Sequence, residues 1–168
     1  YEQERKLDAQ VINQLAQGHY LSNAENILIT GATGCGKSYI ACALGHQACE
    51  QGFTTKYYNM NKLVELLAES KREGSYNRFY KKLTECKLLI LDDIGLAPLD
   101  YSVKLALLQI IEDRHERLST IVVSQLPIAK WYDYLNEPTL ADAILDRLTA
   151  KAHRINLQGP SKRTKINP

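Results

Sequence analysis

Between an apolar run, "NILIT" (26–30), and a helix-like stretch, "KSYIACALGHQACEQG" (37–52), stands the octapeptide "GATGCGKS" (31–38). Glycine gives up more backbone freedom on folding than any other residue, so three within eight positions are costly inside a regular element. They suit a segment whose successive backbone N–H groups must turn inward as an anion nest. A helix that begins immediately afterwards adds its positive N-terminal end. The spacing G-x-x-x-x-G-K-[ST], with a strand before and a helix after, is that of a phosphate-cradling loop. The expected nucleotide cradle is therefore Gly31, Ala32, Thr33, Gly34, Cys35, Gly36, Lys37, Ser38 and Tyr39. In it Lys37 reaches the β and γ phosphates of ATP and Ser38 holds Mg²⁺.

Strand-like and helix-like stretches alternate along the rest of the chain. "LDAQVINQLAQG" (7–18) carries Leu7, Val11, Ile12 and Leu15 on one helical face and stops at Gly18. Strands are expected at 26–30, 54–59, 87–95, 120–125 and 153–157, and helices at 37–52, 61–74, 76–86, 103–118 and 137–150, with another starting at Pro127. Such alternation specifies a parallel sheet with helices on both faces, and binding sites in these folds lie at the carboxyl ends of the strands.

"LLILDDIG" (88–95) ends four apolar residues in two acids, the pattern of a Walker B strand. Asp92 would hold Mg²⁺ through water and Asp93 would orient or deprotonate the attacking water. One strand falls between the loop and these acids in sequence. Motor-type ATPases also insert a further strand between the two in space, and "TIVVSQ" (120–125) fits that place. Its end would bring Ser124 and Gln125 near the γ phosphate, where a Gln can donate to phosphate or position water; an ordinary polar strand end is the plainer alternative.

Taken together, "GATGCGKS", "LLILDDIGLAPL", "STIVVSQLPIAKWYDYL", "PTLADAILDRL" and "AHRINLQGPSKR" resemble the ATPase domain of the IstB-type helpers of IS21 transposition, sisters of the DnaC-type helicase loaders within the AAA+ ATPases. The resemblance spans nearly the whole chain. It implies a P-loop NTPase of AAA+ type: a five-stranded parallel sheet, order 5-1-4-3-2, sandwiched by helices, with no separate C-terminal lid. The implied division is a linker helix at 1–24, an ATPase core at 25–158 and a basic tail at 159–168. The family places phosphate and Mg²⁺ on Lys37 and Ser38, Walker B on Asp92 and Asp93, sensor 1 on Gln125 and an arginine finger on Arg147. Asp93 stands where many such ATPases carry Glu, and Gln125 where many carry Asn. A structural ion pair of Arg147 with Asp142, Asp146 or Glu137 is the alternative to the finger. Arg163, in "GPSKR", sits where the family has a basic residue. The implied partners are DNA, a transposase and further copies of the chain, assembled through ATP. A helicase loader and a P-loop small-molecule kinase are the other readings.

The net charge of +2 is small, so a nucleic-acid surface has to come from local clustering. The stretch 61–86 supplies one, with Lys71, Arg72, Arg78, Lys81 and Lys82 beside Tyr76, Phe79 and Tyr80. These groups suit phosphate and base-stacking contacts, although Glu65, Glu69 and Glu73 on the same stretch also fit a solvated face. From Arg147 onward six Lys or Arg and no acid follow, which fits either a phosphate contact or a flexible basic tail. The four cysteines, Cys35, Cys42, Cys49 and Cys86, form no C-x-x-C pair and are expected to be free thiols. No apolar run approaches the length of a membrane span, and a cytoplasmic protein is expected. Tyr1 is not a start methionine, which suggests an upstream part.

Overall fold

The computed structural model describes the backbone of residues 2–34 and 36–157, and side chains from residue 9 onward within that range. Five strands, β1 (Asn26–Gly31), β2 (Thr55–Asn59), β3 (Leu88–Asp92), β4 (Ser119–Ser124) and β5 (Ala152–Leu157), form one parallel sheet in the order β2-β3-β4-β1-β5. This is the expected order 5-1-4-3-2 read from the other edge. The inner strands β3 and β4 are buried at every residue, as continuous apolar runs with helices over both faces must be. The edge strand β2 is half exposed.

Eight α-helices, α1 (Glu2–Ala16), α2 (His19–Ser22), α3 (Lys37–Glu50), α4 (Met60–Glu73), α5 (Tyr76–Glu85), α6 (Tyr101–Arg114), α7 (Trp131–Leu135) and α8 (Pro138–Thr149), and a short 3-10 helix (Ile128–Lys130) complete the described fold. They divide the core in two. On one face Leu15 of α1 and Ala41, Leu44 and Ala48 of α3 pack on Ile27, Ile29, Ile90, Ile121 and Val123. On the other, α4 to α8 pack on Leu28, Leu89, Leu91 and Val122. Alternate residues of each strand therefore serve opposite cores, the period-two signature of a strand.

Element boundaries shift where a side chain outside the apolar pattern takes over. The apolar pattern predicts helix over 103–118, but α6 ends at Arg114. Arg114 is 1% exposed. Its guanidinium donates to the carbonyls of Leu83, Cys86 and Ser119 and to Thr120 Oγ1, which ties the end of α5 to the start of β4. Five donors in a planar fork can satisfy such a cluster of carbonyls without a carboxylate. The strand expected over 87–95 stops at Asp92, because Asp93 turns into the left-handed region. On α1, Leu15 is buried and Val11 is exposed, so the inward stripe is narrower than expected; the side chain of Leu7 lies outside the described range. Cys42 and Cys49 are exposed and Cys86 is buried.

Candidate nucleotide site

The glycine loop follows β1 and ends at the first residue of α3. Gly34 (φ 84°) and Gly36 (φ 90°) both take left-handed backbone that side chains rarely adopt, which is the physical reason for glycine at these two positions. Gly36 is also the N-cap of α3 and no side chain caps it, so the first N–H groups of the helix, which lack a partner within it, begin where the loop ends. Cys35 lies outside the described residues. Lys37 is buried, and its Nζ donates to the Ala32 carbonyl at 2.9 Å, which folds the ammonium over the loop. Ser38 and Tyr39 are exposed beside it.

A cleft of about 460 Å³ opens on this loop. Its walls include Thr33, Gly34, Gly36, Lys37, Ser38 and Tyr39, and also Asp93, Leu96 and Gln125. That volume lies within the range of small-molecule sites. Residues from the ends of β1, β3 and β4 thus converge on one cleft, because β4 lies between β1 and β3 in the sheet. Gln125 accepts a hydrogen bond from Thr33 Oγ1 at 2.9 Å, which holds it against the glycine loop. Ser124, also expected near the phosphate, does something else. It is fully buried, donates to the Ile94 carbonyl and accepts from the N–H of Leu126, locking the turn after β3 to the turn after β4. Gly95 (φ 107°) lets those turns touch: a Cβ there would meet Leu126 Cδ1 at 2.9 Å.

The two acids differ sharply in setting. Asp92 is fully buried and each of its oxygens accepts one hydrogen bond: Oδ1 from the N–H of Asp93 at 2.8 Å and Oδ2 from the Tyr57 hydroxyl at 2.5 Å. Asp93 faces the cleft at φ 60°, unusual for a residue with a side chain. Its Oδ2 accepts from Asn59 Nδ2 at 2.8 Å. Burial and the charge of Asp92 push the Asp93 carboxyl up, against smaller downward pulls from Lys37 and from the Asn59 hydrogen bond. A carboxyl whose pKa is raised is better matched to accepting a proton than an ordinary aspartate. Burial, then the hydrogen bond to Asp92, pushes the Tyr57 phenol up, so it keeps its proton and donates.

Tyr57 and Asn59 carry no motif, and the sequence alone does not single them out. Parallel pairing of β2 with β3 sets Tyr57 opposite Ile90 and Asn59 opposite Asp92. Residues two apart share a sheet face, so Tyr57 reaches diagonally to Asp92. The only sequence signal is the spacing itself, Tyr-x-Asn on a strand to be paired with Walker B.

Arg147 does not line the cleft of its own chain. Its ion pair is with none of the three acids expected: Nη2 meets Glu112 of α6 at 3.0 Å, while Nη1 donates to the Ala143 carbonyl. Glu137 is engaged elsewhere, capping α8 by accepting the N–H of Leu140. The helices α6 and α8 pack side by side, which the sequence does not reveal.

Lys71, Arg72, Arg78, Lys81 and Lys82 are all exposed on the α4–α5 pair. Lys81 lies 3.8 Å from Glu85, and Lys71 sits over the Tyr76 ring. The aromatic residues expected to stack on bases are half-buried and engaged with neighbouring side chains. Phe79 meets Tyr58 edge-on, Tyr76 stacks on Tyr80, and the Tyr80 hydroxyl donates to Asp113. Arg163 and the tail from 159 onward lie outside the described residues. No helix of the described residues is long and apolar enough to cross a membrane.

A glycine loop before α3, an acid pair after β3 and a glutamine after β4, on a sheet of this order, define a P-loop domain of the AAA+ type. A family model described as IstB-like ATP binding protein matches residues 1–167, and the chain belongs to that family. It is 45% identical over 163 residues to an insertion-sequence ATP-binding protein of Sinorhizobium fredii, covering 97% of this chain and 66% of that protein. The chain thus spans about two thirds of that relative's length. Among solved structures, the DnaC helicase loader superposes with a TM-score of 0.79 at 18% identity, covering 92% of this chain and 90% of that one. AMPPCP-bound DnaA from Aquifex aeolicus superposes with a TM-score of 0.77 at 20% identity, covering 98% and 49%. These two likenesses concern the fold.

Proposed function

We propose that this chain binds and hydrolyses ATP, and that ATP binding drives its assembly on DNA to assist a transposase. The observation that carries the ATPase reading is the convergence of Lys37, Ser38, Asp93 and Gln125 on one cleft at the carboxyl ends of three strands. The transposase as partner rests on the family and on the insertion-sequence relative.

Each residue has a role that its geometry supports. Backbone N–H groups of the loop and the start of α3 cradle the phosphates, and the Lys37 ammonium balances their charge. The donor set suits Mg²⁺, which keeps several waters and takes one or two protein oxygens besides phosphate. Ser38 Oγ would hold it directly and Asp92 through water. When bound, the metal neutralises charge on the β and γ phosphates. Asp93 orients the attacking water and accepts its proton, and Gln125 fixes the γ phosphate. Arg147, which does not line its own cleft, supplies a guanidinium to the nucleotide of a neighbouring copy. Lys71, Arg72, Arg78, Lys81 and Lys82 present charge to DNA phosphates. With the aromatic side chains committed internally, this contact is to backbone and carries little sequence preference.

Asp93→Asn tests the hydrolytic step while keeping a residue that tolerates left-handed backbone. It should bind Mg²⁺-ATP with the parent's affinity yet lose most phosphate release and stay on DNA. Turnover at the parental rate would remove Asp93 from the role of base.

A further inference from the structure

Asp92 is a carboxylate with no exposed surface, and among the described residues it makes no ion pair. Its orientation is set by two donors, the N–H of Asp93 on Oδ1 and the Tyr57 hydroxyl on Oδ2. The first is part of the chain turn itself. The second comes from the edge strand β2, whose Tyr57 ring lies across the sheet margin and remains 44% exposed. The carboxylate torsion of aspartate is soft, so without the phenol the whole group would be held by the Asp93 N–H alone. Each carboxylate oxygen offers about two lone pairs. Tyr57 takes one on Oδ2, and so fixes which directions remain open toward a metal-bound water.

We propose that Tyr57 is a positioning residue for Mg²⁺: its hydroxyl orients the Asp92 carboxylate so that the open lone pairs face the water shell of the nucleotide-bound metal. This rests on the nucleotide reading above and adds a residue to it. Side chains that orient the groups around a metal influence its affinity without touching it. The effect of Tyr57 therefore falls on the metal and not on the nucleotide.

The test is a titration of Mg²⁺ against the 168-residue chain held with a fluorescent ATP analogue, alongside nucleotide affinity measured in EDTA. Tyr57→Phe keeps the ring and removes one oxygen. It should raise the Mg²⁺ midpoint by about tenfold and leave the affinity in EDTA unchanged. Tyr58→Phe, on the opposite sheet face against Phe79, should change neither. In an Asp92→Ala background, Tyr57→Phe should shift the midpoint no further, since the group it orients is gone. An unmoved midpoint in Tyr57→Phe would overturn the proposal. So would an equal loss of affinity in EDTA, which would make Tyr57 a general support of the site. A parent chain that binds no nucleotide in either condition would overturn both this proposal and the reading beneath it.

Discussion

Asp93 sits at φ 60° with its carboxylate tied to Asn59, and such backbone costs about 1–3 kcal/mol in a residue with a side chain. The turn follows the last residue of β3, so the strain places the second acid in front of the glycine loop while the first stays buried. Lys37 and Arg147 complete the charged set, one inside the cleft and one outside it. Lys37→Ala should lose tight ATP binding and keep a parental circular dichroism spectrum. Arg147→Ala should bind ATP normally and lose DNA-stimulated hydrolysis, because an arginine supplied in trans contributes roughly 10³ to 10⁵ in rate in related NTPases. Mixed on DNA, the two inactive variants should regain activity, as an intact loop meets an intact arginine on the neighbouring copy. No recovery, with co-assembly demonstrated, would assign Arg147 to its Glu112 ion pair alone.

At the scale of elements, Asn59 joins two structures at one side chain. Its Oδ1 accepts the N–H of Asn61 and caps α4, while its Nδ2 holds Asp93. Asn59→Ala should cost about 1 kcal/mol of stability by removing the cap. That corresponds to a fall of about 2–4 °C in Tm for a domain of this size, readable by calorimetry. An unchanged Tm would mean that the cap contributes nothing. On the α4–α5 pair, neutralising Arg78, Lys81 and Lys82 together should weaken duplex DNA binding and flatten its salt dependence, by about 0.9 in the log–log slope for each DNA phosphate no longer neutralised. An unaltered slope would return the three to a solvated face. These elements also show what is legible in a sequence. The apolar runs of β1, β3 and β4 and the glycine loop announce themselves through local pattern. Tyr57, Asn59 and Arg114 do not, because their partners are set by strand register and helix packing across about thirty residues of chain. Nor does composition distinguish an aromatic residue free for a base from one, such as Phe79, already packed on Tyr58.

For the whole molecule, strand order does the assembling. With β4 between β1 and β3, the loop, Asp93 and Gln125 arrive at the same cleft from segments far apart in the chain. Strand alternation together with the family resemblance carries this order from the sequence. What it leaves open is the setting of Arg147 on α8, which pairs with Glu112 of α6 and does not line its own cleft. A nucleotide cleft and an arginine that does not line it suit head-to-tail packing of copies, with ATP as part of the contact. Sedimentation velocity of the chain on duplex DNA, with and without Mg²⁺-ATP, measures that directly. With Mg²⁺-ATP the DNA should sediment as a large particle of many copies, and it should revert to slow species without nucleotide or with Lys37→Ala. Equal coating of the DNA in all three conditions would contradict an ATP-driven assembly.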